Sequence, residues 1–225
     1  MLLVLWDVDG TLIDSAEHGK HAFDDAYLEV VGQPFEARID YAGRTDHQIA
    51  MAMLEGVEDA DGQLPRLLEQ LVPALEGRRE LIRAEGHVHP GVREALEALG
   101  RRDDLRQSLL TGNLEANAAI KVGAFGLERH FDFELGAYGS DPHERRSDLV
   151  AVARERAEAK LGEPVEPVLV GDTPRDVQAA REAAVRVVAV ATGFAAESAL
   201  RDSQPDVLLR DLSDTGRAVE AIIST

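Results

Sequence analysis

The 225-residue chain contains no cysteine. Disulfides, thiolate nucleophiles and cysteine-ligated zinc are therefore excluded. Lysine is almost as scarce, occurring only at Lys20, Lys121 and Lys160. The other cations are arginines, a skew that, with the abundant alanine, fits a bias in genome base composition. Positive charge is short overall: 24 Lys+Arg against 42 Asp+Glu leave a net charge of −18. A field of that sign repels nucleic acid and argues against it as a partner. It also repels anionic substrates, so a phosphate site would need local positive charge from a metal or a few placed cations. Long hydrophobic runs are missing as well. The apolar start, Met1 to Trp6, has no basic n-region and is too short for a signal peptide or a membrane span. A cytoplasmic protein that engages no membrane is expected. Repeats, heptads and low-complexity tracts are absent.

What is present is enough apolar residue, 44%, for a substantial core. The length suits one large domain, or one core domain with a smaller insert. Short apolar runs at 2 to 6, 107 to 110, 167 to 170 and 186 to 190 read as strands buried on both faces, because they are continuous and do not alternate. Residues 206 to 209 form a candidate edge strand. Between them, apolar residues at 92, 95, 96 and 99 repeat as one helix face, and 149 to 161 and 177 to 184 behave similarly. Strands alternating with helices predict a doubly wound, Rossmann-like α/β fold with a parallel sheet. Residues 15 to about 85 interrupt the alternation, with helical patterns at 16 to 31, 46 to 55 and 64 to 84. The simplest organisation is a core of 1–14 and 86–225 with a helical cap domain at 15–85. The return point is the Pro90-Gly91 punctuation after His87-Val88-His89.

The strongest signal lies where the first strand ends, in Asp7-Val8-Asp9-Gly10-Thr11-Leu12-Ile13-Asp14-Ser15. Alternate strand residues share a side, so Asp7 and Asp9 emerge together. Two close carboxylates repel and raise each other's pKa unless a cation lies between them or one keeps its proton. Gly10 allows a sharp turn. The pair suits a carboxylate nucleophile beside an acid/base partner. Thr111-Gly112-Asn113 follows the second strand and offers neutral donors for phosphate oxygens; a plain strand-to-helix turn fits the same residues. Gly171-Asp172-Thr173-Pro174-Arg175-Asp176 follows a later strand, and two acids four apart there suit Mg2+. Asp172 as the cap of the following helix is compatible with that role. Within residues 139 to 149, Arg145 and Arg146 are candidates for a fixed cation or for a solvated pair.

Together these segments resemble the haloacid dehalogenase superfamily, over nearly the whole chain, in its helical-cap phosphatase branch, similar to phosphoglycolate phosphatases and β-phosphoglucomutases. The resemblance implies Asp7 as nucleophile, Asp9 as acid/base, and Thr111, with Gly112 and Asn113, as phosphate-binding residues. It implies Mg2+ held by Asp7, Asp9 through its main-chain carbonyl, Asp172 and Asp176. The implied partner is a small phosphorylated metabolite. The family's third-motif cation is usually lysine, and no lysine lies between 122 and 159. Arg146 resembles an Arg-for-Lys variant, with Arg145 its competitor. In the cap, Gly43-Arg44-Thr45-Asp46 resembles a substrate-facing loop, and Arg44 could pair with a carboxylate on the leaving group; a surface turn capped by Thr45 is the other reading. The seven histidines show no metal-ligand spacing, and His18 and His21 are expected on the surface of a cap helix. The expected activity is Mg2+-dependent hydrolysis of a small phosphate monoester such as 2-phosphoglycolate. The rivals are a sugar phosphomutase, a haloacid dehalogenase and a non-catalytic phospholigand-binding protein.

Overall fold

The structure is a computed structural model describing residues 1–41, 43–141, 143 and 145–224, so Pro142 and Glu144 of the third segment lie outside the described residues. Strand β1 (Leu2–Trp6) leads through a turn into the two-residue β2 (Ile13–Asp14). Four helices follow: α1 (His18–Val31), α2 (Asp46–Met53), α3 (Ala60–Glu76) and α4 (Arg79–Glu85). Strand β3 (His87–Val88) pairs antiparallel with β2, so the helical excursion closes where it opened. Alternation then begins with α5 (Val92–Gly100), β4 (Leu105–Leu109), α6 (Glu115–Gly123) and α7 (Arg146–Leu161). It continues with β5 (Glu166–Gly171), α8 (Pro174–Glu182), β6 (Arg186–Val190), α9 (Glu197–Asp202), β7 (Val207–Leu209) and α10 (Thr215–Ile223).

The five longer strands make one parallel sheet in the order β4-β1-β5-β6-β7, as the doubly wound expectation requires. Chain succession reverses at β1 and β5, the switch point at which open α/β sheets hold ligands. Alternate residues of β1 serve opposite layers. Leu3 and Leu5 pack with Leu149, Val150 and Val177 of α7 and α8, whereas Val4 and Trp6 pack with Leu96, Val122 and Ile222 of α5, α6 and α10. Burial on both faces explains why this strand is continuously apolar. Each fully covered Leu or Val contributes about 1.5–3 kcal/mol relative to exposure. The indole of Trp6 donates to Gln107 Oε1 at 3.2 Å, and Gln107 in turn donates to the Leu96 carbonyl at 3.1 Å, so this buried polar pair is satisfied.

Helices α1 to α4 bury a third cluster, in which Phe23 and Tyr27 meet Ile49, Met53, Leu67, Leu71 and Leu75, with Ile120 of α6 as floor. The helix expected at 64 to 84 is two helices. It begins earlier, at Ala60, and breaks at Gly77 and Arg78. Pro65 and Pro73 lie inside α3 despite the hydrogen bonds they remove. The stripe Leu67, Leu71, Leu75, buried against α1 and α2, outweighs that local cost. No described helix is long and apolar enough to cross a membrane.

Candidate active site

Asp7 extends β1: its N–H donates to the Val170 carbonyl at 2.9 Å. Gly10 turns the chain at φ +83°, and a Cβ there would collide with the Asp172 carboxylate. Both facts demand glycine. Thr11 Oγ1 then donates to Asp172 Oδ1 at 3.0 Å, tying the first turn to the end of β5. Asp7, Asp172 and Asp176 are buried, and one carboxylate oxygen of each lies within 4.8 Å of the other two. Thr173 caps α8 and forms a capping box with Asp176, whose Oδ2 accepts from Thr173 Oγ1 at 2.6 Å. The expected Asp172 cap is thus Thr173 instead. This leaves the Asp172 carboxylate turned to Thr11 and the acid cluster.

The structure separates the two arginine candidates. Arg146, the first residue of α7, reaches 3.0 Å from Asp7 Oδ1 and 2.6 Å from Asp176 Oδ1, with its side chain 11% exposed. Arg145 points outward, 69% exposed and 3.5 Å from Asp148. One guanidinium therefore faces three buried acids. Burial pushes Asp172 up to about 8, and the neighbouring charges of Asp7 and Asp176 add to it. Burial also pushes Asp7 up to about 7, with Arg146 pulling it back and Asp176 and Asp9 raising it further. A buried, all-oxygen donor set with surplus negative charge fits a hard divalent cation.

Asp9 faces a different set of partners. Its Oδ2 accepts from Lys121 Nζ at 2.6 Å and from Asn113 Nδ2 at 2.8 Å. Burial would raise Asp9, but Lys121, Asn113 and Ser15 together hold it below the usual carboxylate range. Asn113 Nδ2 also donates to Thr111 Oγ1 at 2.8 Å, which fixes that hydroxyl beside the ends of β1 and β4. Lys121 was not singled out from the sequence. The available signal was the four-residue spacing of Asn113, Asn117 and Lys121, of which the last two stand one turn apart on α6. All three are buried.

The cap loop rests directly on the second-strand turn. The Asp46 N–H donates to the Gly112 carbonyl at 2.7 Å, and a Cβ on Gly112 would run into the Arg44 and Thr45 backbone. The buried Asp46 carboxylate accepts from the Leu114 N–H at 2.7 Å and from Asn117 Nδ2 at 3.0 Å. Thr45 does cap α2, in a capping box with Gln48, while Arg44 lines the cavity. That cavity, about 680 Å³, lies between the strand ends and α1 to α3; Asp7, Thr111, Arg44, Lys121, Phe23 and Leu75 are among its walls. His18 corrects another expectation: it is buried, with Nε2 3.1 Å from Glu85 Oε2, because the pair joins α1 to α4.

Acids at the ends of β1 and β5, a cation from α7 and a helical insert form a recognisable constellation. A family model described as haloacid dehalogenase-like hydrolase matches residues 4–190. The chain belongs to that family. A phosphoglycolate phosphatase of Nitrosospira multiformis is 31% identical over 198 residues, covering 85% of this chain and 83% of the relative. One from Synechococcus elongatus is 30% identical over 234 residues, covering 99% of each. Among solved structures, a hydrolase from Pseudomonas syringae superposes with a TM-score of 0.72 at 22% identity, covering 100% of each chain, which shows the shared fold. Within the haloacid dehalogenase-like hydrolases the chain stands with the phosphatases.

Proposed function

We propose that the chain is a Mg2+-dependent phosphatase that hydrolyses a small phosphate monoester through an aspartyl phosphate on Asp7. The observation that carries this reading is Asp7 at the switch point, 3.0 Å from Arg146 and clustered with Asp172 and Asp176. In this reading residues 1–14 and 86–225 are the catalytic core and 15–85 the cap. An Asp7 carboxylate oxygen attacks phosphorus, the ester P–O bond breaks, and Asp9, which holds a proton once the anionic ester lies beside it, passes that proton to the departing oxygen. Asp9 then takes a proton from water as the water oxygen attacks the phosphorus of the acyl phosphate. Asp7 is restored and inorganic phosphate leaves. Arg146, Thr111 and the backbone amides of Val8, Asp9 and Gly112 receive the remaining phosphoryl oxygens, while the Asn113 side chain, expected there too, is committed to Asp9 and Thr111. The carboxylates of Asp7 and Asp172, the Asp9 carbonyl and Asp176, directly or through water, would hold the metal. Once bound, it supplies the positive charge that lets an anionic nucleophile meet an anionic ester. Monoester hydrolysis needs roughly 20 kcal/mol of transition-state stabilisation, which places the burden on positioning and charge.

The substrate class we propose is a small phosphorylated acid, with 2-phosphoglycolate first. Arg44 lines the cavity and its side chain forms no hydrogen bond or ion pair with a described residue, which leaves its fork available for a leaving-group carboxylate. The names of the relatives point the same way. The test is phosphate release from a panel of monoesters, with and without Mg2+, for wild type and Asp7→Asn. Metal-dependent turnover lost in the variant is expected. Phosphoglycolate ranking no better than unrelated sugar phosphates would remove it as the substrate, and no turnover on any ester would remove the phosphatase reading.

A further inference from the structure

Arg146 is the buried cation that serves the nucleophile, yet the site contains a second buried one. Lys121 sits on α6 with its side chain 8% exposed, surrounded on the same helix by core residues Ala118, Ile120 and Val122. Burying an ammonium is costly, and an apolar residue of similar length would pack there at no such cost. The partners of Lys121 are all groups of the site. Its Nζ donates to Asp9 Oδ2 at 2.6 Å and to Asn113 Oδ1 at 2.7 Å. The cap closes over it: a Cβ on Gly19 of α1 would lie 3.3 Å from Nζ. The Asp46 carboxylate of α2 adds a negative charge from the cap side.

The geometry of Asp9 is lopsided. Both strong donors, Lys121 Nζ and Asn113 Nδ2, hold Oδ2, whereas Oδ1 has only Ser15 Oγ at 3.5 Å. The geometry points to Lys121 as a positioning residue: with Asn113 it clamps Oδ2 of Asp9 and turns Oδ1 toward the cavity as the oxygen that exchanges protons with leaving group and water. This rests on the phosphatase reading, and it gives the two cations separate tasks. Arg146 serves Asp7 and the phosphoryl group, and Lys121 serves the proton carrier.

Ester chemistry separates this role from a structural one. An alkyl phosphate needs a proton on its leaving oxygen, whereas p-nitrophenyl phosphate leaves as a stable phenolate without one. kcat/KM reports transfer of the phosphoryl group to Asp7, and kcat also includes hydrolysis of the acyl phosphate. For Lys121→Met, kcat/KM on phosphoglycolate, or on whichever alkyl ester wild type turns over best, is expected to fall about 100-fold. On p-nitrophenyl phosphate kcat/KM is expected to fall less than about threefold, while kcat drops and a burst of p-nitrophenol appears. That retained reactivity also shows that the variant is folded. Lys121→Arg, which keeps the charge but cannot reproduce both contacts, is expected to show the same selectivity with a smaller loss, and it decides the matter if Lys121→Met does not fold. Equal losses of kcat/KM on the two esters, or no loss on either, would overturn the assignment. Wild type inactive on every ester would overturn the phosphatase reading and this assignment with it, an outcome visible before any variant is made.

Discussion

At the scale of single residues, charge placement decides what the site can do. The protein carries a net charge of −18, yet the buried acids Asp7 and Asp176 gather on one arginine, and one buried lysine holds the half-exposed Asp9. Asp7→Asn removes the nucleophile, and turnover is expected to fall by about four orders of magnitude or more in steady-state assays. Arg146→Ala removes a preorganised donor and is expected to cost about 100- to 1000-fold in kcat. Arg146→Lys should recover part of that loss, because charge is kept while the reach that brings the single nitrogen Nη2 to both Asp7 and Asp176 is not. Recovery to the full wild-type rate would mean that only the charge matters. Asp7, Asp9 and the acids after β5 were legible because short, specific motifs follow strands. Lys121 was not, because its meaning depends on α6 folding back beside β1, and sequence position places it far from either motif.

At the scale of elements, cap and core share an apolar contact at Ile120 and a buried polar one at Asp46. Asp46 is the first residue of α2 but completes the start of α6, whose own N-cap, Leu114, has no side chain to offer. Asp46→Ala would leave the Leu114 N–H and Asn117 unpaired and is expected to cost about 1.5–3 kcal/mol in equilibrium unfolding. A loss confined to local opening of the cap would instead leave the global midpoint unchanged. Gly10→Ala forces a side chain into a positive-φ turn and against Asp172. It should lower thermal stability and weaken metal binding together, which calorimetry and metal titration can follow. Strands were read well from sequence because burial on both faces leaves a continuous apolar trace. The 64 to 84 segment was read less well, since the break at Gly77 and the tolerance of two prolines in α3 come from packing against α1.

For the whole molecule, the acid cluster couples stability to pH and metal. The folded state raises Asp7 to about 7 and Asp172 to about 8, above their ordinary value of 3.8. Folded protein therefore holds more protons than unfolded protein across that interval, and stability from this source is lost as pH rises through 7 to 8. Without divalent ions, the melting temperature is expected to decline between pH 5.5 and 8.5; millimolar MgCl2 replaces the protons with a cation and should abolish the decline. A metal-free melting temperature that rises over the same range would show that the cluster is not protonated in the folded state.

The sequence by itself determined the alternation of strand and helix, the parallel sheet and the acids at strand ends, because these follow from burial patterns and contiguous motifs. It left Arg145 and Arg146 open. Only the tertiary structure decided between them, since adjacent residues at a helix start point to different sides, and only one direction meets Asp7. Likewise, only the fold revealed Lys121 against Asp9 and the cap loop against Gly112. Such contacts join residues far apart in the chain, and no local pattern encodes which of them the sheet will bring together.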